Sequence, residues 1–268
     1  MYASIDIGGT NTKIGITSNL NELLDIKRFS TPKSFEELKS QITQILKTDQ
    51  TYDAIAIGAA GFINRQKKNI YYSPHINYLN NKLASEIIDE ITTKEIYLEN
   101  DASLAALAEA NYGDAKNYDR VAYITISTGV GGSLIVNKKI PETHFNFEPG
   151  HHIINLETKE TFEDLCSGTS FRKSYGASPQ DHNEKQVWSK FGINLGYGLN
   201  NIILLWRPDI IIIGGSLSKK SNLFIDDTFE TLNSLLPLQN YPKIQISKLN
   251  DENGILGGLE LIKSKLVK

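Results

Sequence analysis

One pattern constrains this chain more than any other: an apolar strand-like run, a glycine-rich turn and a second apolar run occur once at the start and again in mid-chain. The first copy is Tyr2 to Asp6, then Gly8-Gly9-Thr10-Asn11, then Thr12 to Thr17; the second is Val121 to Ile126, Ser127-Thr-Gly-Val-Gly-Gly132, then Ser133 to Val136. Turns with consecutive glycines let backbone N–H groups approach an anion, because no Cβ blocks the way and positive φ costs little. Two such turns can hold one polyphosphate from both sides. The repeat therefore predicts a two-lobed phosphoryl-transfer enzyme, one turn on each wall of a cleft.

The hydrophobic period along the chain fits that plan. Residues 2 to 30 read as a three-stranded meander whose third strand covers Leu23 to Phe29. Phe35, Leu38, Ile42, Ile45 and Leu46 then recur at helical spacing behind Ser34, a good N-cap residue. A strand over Ala54 to Ile57, a helix over Leu83 to Ile91 and a strand over Glu95 to Leu98 follow. The next helix, from about Asp101 to Ala110, is alanine-rich and suited to close packing. After the restart at Val121 come a hairpin through Asn137 and Lys138, a long helix over Lys185 to Trp206 and an apolar strand over Ile210 to Ile213. The last elements are a helix near Phe224 to Leu235, a strand at Ile244 to Ile246 and a closing helix from Asp251. Strands alternating with helices, some apolar on both faces, predict an α/β fold of mixed sheets covered by helices. The restart puts the boundary between an N-terminal lobe (1–117) and a C-terminal lobe (118–268) near Asn117, with the closing helix free to pack back on the first lobe.

At 268 residues, 40% hydrophobic and 22% charged, the chain has the composition of a globular protein with a substantial core. A net charge of -3 with no Lys/Arg block argues against nucleic acid as a partner. No apolar run reaches membrane-spanning length, so no membrane partner is expected. Cys166 is the single cysteine, which excludes an internal disulfide and suits a cytoplasmic setting.

Asp6 lies two residues before Gly8, and a carboxylate there, beside glycine amides and Lys13, is suited to hold hydrated Mg2+ next to phosphate oxygens. On its own the segment also reads as an ordinary hairpin turn. Neither G-x-x-x-x-G-K-[ST] nor G-x-G-x-x-G occurs. Asn100 and Asp101 follow a strand, at the edge where open α/β sheets build sites, although either could serve only as the N-cap of the alanine-rich helix.

The segments DIGGTNTKIG, IGAAGFI, LENDASLAALAE, ISTGVGGSLI, EPGHHI and IIIIGGSLS, in this order across nearly the whole chain, resemble the ROK family of sugar kinases in the actin-like ATPase superfamily. The resemblance implies two RNase H-like lobes with ATP and a hexose meeting in the cleft between them. It implies nucleotide contacts at Gly8, Gly9, Thr10, Thr12 and Lys13 in the first lobe and at Thr128, Gly129 and Gly131 in the second, with Gly214, Gly215 and Ser216 over the adenosine. It makes Asp101 the base for the sugar's 6-hydroxyl. The implied sugar contacts are Gly61, Asn77, Asn100, Glu148, His151 and Glu163. His75, His144, His152 and His182 receive no role beyond surface or packing.

Many members carry C-x-C-G-x-x-G-C between that histidine and that glutamate and bind zinc there. Here the stretch reads Leu156-Glu-Thr-Lys-Glu-Thr161, with Thr161 at the last cysteine position, so no structural zinc is expected. The shorter loop resembles the zinc-free members, including polyphosphate-using glucokinases, and Lys138, Lys139, Lys219 and Lys220 could extend a track for a longer anion. Family repressors carry an N-terminal DNA-binding domain, for which the sequence shows no room before Tyr2. A silent sugar binder of the same fold would have lost Asp101 or the turns. The family resemblance also implies a homodimer, for which the sequence shows no self-complementary apolar stripe.

Overall fold

The computed structural model describes residues 1–20, 22, 25–236, 241–249 and 252–266. They divide into two compact units: the described residues of Met1–Asn111, Pro141–Asn146 and Asp251–Lys268, and those of Tyr112–Ile140 and Phe147–Asn250.

In the first unit β1 (Tyr2–Ile7), β2 (Asn11–Thr17) and β3 (Asp25–Ser30) form the predicted meander. Leu23, the expected start of the third strand, lies outside the described residues. Helix α1 (Phe35–Leu46) buries Leu38, Ile42 and Leu46, and the Ser34 hydroxyl accepts the Glu37 N–H as its cap. The chain continues through β4 (Thr51–Tyr52) and β5 (Ala54–Ala59). A small antiparallel sheet of β6 (Phe62–Asn64), β7 (Asn69–Tyr72) and β8 (Lys82–Leu83) follows, which the hydrophobic period does not signal. Helix α2 (Ala84–Ile87) is a single turn where the spacing predicts a helix to Ile91. Ile88 leaves helical geometry at φ -128 and ψ 32, and Ile88 and Ile91 are buried from beyond the helix. After β9 (Thr92–Thr93), which pairs with β4, come β10 (Ile96–Asn100) and α3 (Asp101–Asn111). The main sheet runs β10-β5-β1-β2-β3, with β10, β5 and β1 parallel. All of β5 is buried, as a parallel strand covered on both faces must be.

The second unit repeats the plan. A glycine turn joins β11 (Arg120–Ile126) to antiparallel β12 (Val130–Val136), so Gly131 and Gly132 are strand residues rather than part of the turn. Asn137 and Lys138, at φ 50 and 63, close the next hairpin as its two left-handed residues. Then come β13 (Ile153–Asn155), β14 (Glu160–Thr161), α4 (Phe162–Cys166), α5 (Gly168–Tyr175), α6 (Lys185–Trp206), β15 (Ile210–Gly214), α7 (Ile225–Leu235) and β16 (Lys243–Ile246). The sheet order is β12-β11-β15-β16, with β11, β15 and β16 parallel. Trp188, Phe162, Phe171, Phe191 and Phe224 fill its core. The structure leaves Ile193, Tyr197 and Leu204 exposed along one face of α6, with Leu205 beside them.

Both sheets are therefore mixed: an antiparallel hairpin on a glycine turn with two further parallel strands, to which the first sheet adds antiparallel β3. Helix α8 (Asn253–Leu266) belongs to the first unit; Asp251, its expected start, lies outside the described residues. It packs backbone to backbone on α3, since a Cβ on Gly257 would fall 1.8 Å from the Leu104 carbonyl oxygen. Residues Ala102 to Ala110 of α3 are all buried, and Gly257 of α8, which lacks a side chain, permits that approach. The break between units at Asn111 precedes the expected Asn117 by half a dozen residues, because α3 runs to its last residue within the first unit.

Candidate active site

The C-terminal ends of β1, β5 and β10 carry Gly8, Gly61 and Asn100–Asp101, as the general geometry of parallel sheets requires. In the first turn the Gly8 N–H donates to the Asn11 carbonyl at 3.0 Å. Thr31 pins the turn from behind: its hydroxyl donates to the Gly8 carbonyl at 2.6 Å and its N–H to the Thr10 carbonyl at 2.9 Å. In a trans peptide the N–H points opposite the preceding C=O, so pinning the Gly8 carbonyl aims the Gly9 N–H to the other side. Thr12 is fully buried with its hydroxyl on that of Thr31 at 2.9 Å, so it braces the turn and does not present its hydroxyl outward. Asp6 and Lys13 are cross-strand partners, Nζ to Oδ2 3.4 Å, each 14% exposed.

Asn100 is buried, and its side chain is committed twice. Its Oδ1 accepts the Ser103 N–H at 3.0 Å, which caps α3, and its Nδ2 donates to the Gly61 carbonyl at 3.1 Å. The residue is therefore a cap, and its amide carries a second hydrogen besides the one given to Gly61. Gly61 needs to be glycine, at φ +122 with the Tyr72 carbonyl oxygen 2.2 Å from where a Cβ would be. Asp101 follows as the first residue of α3, its Oδ1 accepting the Ala102 N–H at 2.8 Å. Enclosure of its carboxyl, together with the Asp6 carboxylate, pushes its pKa up to about 6, against the pull of the helix-start amides and Lys13.

Glu99, Arg65 and His75 of this unit receive no site role from the sequence. Glu99, 4% exposed, takes a bidentate contact from Arg65 (Nε to Oε2 2.6 Å, Nη2 to Oε1 2.9 Å) and also accepts the Asn100 N–H. Only Glu in LENDA hinted at it. His75, which the sequence leaves without a role, lies against the first turn: a Cβ on Gly9 would be 3.5 Å from the His75 Cβ. Asn77, expected to touch sugar, is exposed on the one-turn 3-10 helix Asn77–Leu79.

In the second unit the expected residues gather on the turn Ser127–Gly129. The start of α5 pins that turn as Thr31 pins the other: the Gly168 N–H donates to the Ser127 carbonyl at 2.7 Å. Thr169 gives the Thr128 carbonyl both its N–H (3.1 Å) and its hydroxyl (2.8 Å). By the same peptide geometry the N–H groups of Thr128 and Gly129 face away from α5. Glu163 accepts the Val130 N–H at 2.7 Å, so its carboxylate sits just past the turn. Gly150 presses on Val130, whose carbonyl oxygen would be 2.1 Å from a Cβ there, and this brings the 3-10 turn Pro149–His151 alongside. His151 Nε2 lies 3.8 Å from Glu148 Oε2, the imidazole half exposed. Gly214 and Gly215 follow β15, and Gly215 at φ +86 packs on the Ile126 carbonyl. That places the Ser216 hydroxyl 3.4 Å from that of Ser127.

Thr161, at the cysteine position of zinc-binding members, caps α4 by accepting the Asp164 N–H at 3.1 Å. Among the described residues no group of three or more His, Cys, Asp or Glu is arranged to hold a metal. Two of the four lysines considered for a long-anion track are committed elsewhere. Lys138 Nζ donates to the carbonyls of Lys116 (2.6 Å) and Tyr118 (3.1 Å), and Lys220 Nζ to Asn183 Oδ1 at 2.7 Å.

The sequence profile of the ROK family matches residues 2–265. The chain is 27% identical to N-acetyl-D-glucosamine kinase of Histophilus somni, covering 99% of this chain and 100% of that one. It is 24% identical to glucokinase of Streptomyces coelicolor, covering 97% and 96%. The ROK family glucokinase of Streptomyces griseus, solved with glucose and AMPPNP, superposes with a TM-score of 0.80 at 21% identity over 97% of this chain and 98% of that one. Fold, turns and family profile agree, and the chain belongs to the ROK family.

Proposed function

We propose that this protein is an ATP-dependent hexose kinase that transfers the γ-phosphoryl group to a sugar 6-hydroxyl. One observation carries the reading: Asp101 is an enclosed carboxyl with a pKa raised to about 6, in the same unit as the Asp6–Lys13 pair and a turn whose Gly9 amide is aimed by Thr31. Phosphoryl transfer passes through a loose transition state and needs positioning and charge compensation more than a strong base. Asp101, ionised at neutral pH, accepts the proton of the attacking hydroxyl, while the amides of both turns and Lys13 offset charge on the phosphates. Asp6 has the donor chemistry to hold Mg2+ through water, and that ion would supply further charge neutralisation to the phosphates. Gly214, Gly215 and Ser216 take the adenosine side, and no zinc is required. Asn100, Glu148, His151, Glu163 and the Gly61 carbonyl region take the sugar, and a pocket built on such groups rejects deoxy analogues because the lost hydroxyl strands a polar partner.

Glucose is the first acceptor to test, followed by mannose, fructose and N-acetylmannosamine, and by N-acetylglucosamine because of the similarity to the N-acetyl-D-glucosamine kinase of Histophilus somni. Commitment of Lys138 and Lys220 to carbonyl and amide partners favours ATP over polyphosphate. No helix of the described residues is long and apolar enough to cross a membrane. A single cysteine and a reaction that consumes ATP support a cytoplasmic setting. The test is ADP release, or phosphosugar formation with polyphosphate, across a panel of hexoses. Turnover that requires one hexose and ATP supports the proposal, whereas sugar-independent hydrolysis or sugar binding without turnover overturns it in favour of a silent binder.

A further inference from the structure

Glu99 is a carboxylate 4% exposed at the end of β10, directly before Asn100 and Asp101. A buried carboxylate is costly unless its charge and lone pairs are satisfied, and apolar residues usually fill such a position more cheaply. Here three donors converge on it: two nitrogens of Arg65 and the Asn100 N–H, at 2.6, 2.9 and 2.9 Å. The remaining Arg65 nitrogen donates to the Thr143 carbonyl at 2.8 Å and its hydroxyl at 2.9 Å. Thr143 belongs to Pro141–Asn146, a segment of the first unit with residues of the second before and after it in the chain. Asn146 fastens the same segment by accepting the Ile63 N–H at 3.0 Å, and two residues later the chain reaches Glu148.

Resting on the kinase reading above, we propose that Arg65 and Glu99 are positioning residues that hold the Asn100–Asp101 edge and the 141–146 segment in one fixed arrangement for sugar phosphorylation. A guanidinium is suited to this because its planar fork fixes direction at two partners at once, which an ammonium does not. With Oε1 held by Arg65, the Asn100 N–H has one place to go. The Asn100 side chain then reaches Gly61 and Ser103 together, and Asp101 begins α3 at a defined angle. Neither Arg65 nor Glu99 is assigned a contact with substrate; they act through Asn100 and Thr143.

The test compares wild type with R65A, R65K and E99Q, using the hexose that wild type phosphorylates. Because misplacing a reacting group by an ångström costs on the order of a hundredfold, R65A should lose about ten- to a hundredfold in kcat and show a raised sugar KM, with ATP KM within about twofold. Guanidinium ion at millimolar concentration should restore part of the R65A rate, and R65K should stay impaired. E99Q, nearly isosteric, keeps an acceptor for Asn100 and should lose less; it carries the test if R65A does not fold. Hydrogen exchange over residues 99–104 is followed in parallel and needs no turnover: it should quicken in E99Q. R65A and E99Q with wild-type kcat, sugar KM and exchange overturn the inference. A wild type without sugar-dependent turnover, whose exchange still responds to E99Q, would sink the kinase reading while leaving the structural role of the pair standing.

Discussion

Gly254, the second residue of α8, lies so close to Asp6 that a Cβ in its place would come within 2.7 Å of the carboxylate carbon. The start of a helix carries partial positive charge, so the Asp6 carboxylate sits at the end of α8 that suits an anion. The same carboxylate raises the pKa of Asp101. One glycine at the end of the chain thus conditions two carboxylates brought together from its beginning and middle.

Gly254→Ala would gain about 1 kcal/mol of helix propensity, yet it must displace Asp6. We expect a folded protein whose turnover falls about tenfold and needs more Mg2+ to reach half-maximal rate, since metal affinity depends on the placement of its carboxylate. A Mg2+ titration of activity checks this, and an unchanged midpoint would remove Asp6 from metal binding.

Asp101→Asn should lower kcat by at least about a hundredfold, the usual loss for a positioned base, while hexose still binds in calorimetry. Near-normal turnover would free Asp101 of that role.

The same substitution should stabilise the ligand-free protein at neutral pH. A carboxyl whose folded pKa is raised from 3.8 to about 6 binds its proton more tightly in the native state, so native stability declines as pH rises through that window. The deficit is complete above pH 6 and absent below 3.8. Relative to wild type, the D101N variant should gain roughly 1–3 kcal/mol at pH 7.5 and nothing at pH 3.5, measured by urea unfolding without metal or nucleotide. A constant difference across pH would mean that Asp101 is not enclosed as described.

Thr169→Val keeps the backbone bond to the Thr128 carbonyl and removes the hydroxyl bond at 2.8 Å. A neutral hydrogen bond contributes about 1 kcal/mol, so ATP KM should rise roughly fivefold with sugar KM little changed. Equal effects on both substrates would argue that the second turn does not serve the nucleotide.

Local signals in the sequence reach a long way into this structure. Strand–turn–strand with glycines, Ser34 before an amphipathic run, and a fully apolar Ile210 to Ile213 each depend on neighbours within a few residues, and these elements form where expected. Asn100 and Asp101 are legible for the same reason, as polar residues between a strand and an alanine-rich helix. The β6–β7–β8 sheet is not, because its strands of two to four residues are too short to show a period of two.

What only the tertiary structure decided is which distant residues share a hydrogen bond. Glu99 and Thr143 lie 34 and 78 positions from the Arg65 that binds both, His75 meets Gly9, and Gly254 meets Asp6. The stacking of α8 on α3 and on the sheet sets the last of these pairings, and such stacking depends on side-chain volume summed over many residues. The sequence by itself determined two glycine turns on two mixed sheets and an aspartate at a strand's end; close packing then decided what holds each turn and carboxylate in place.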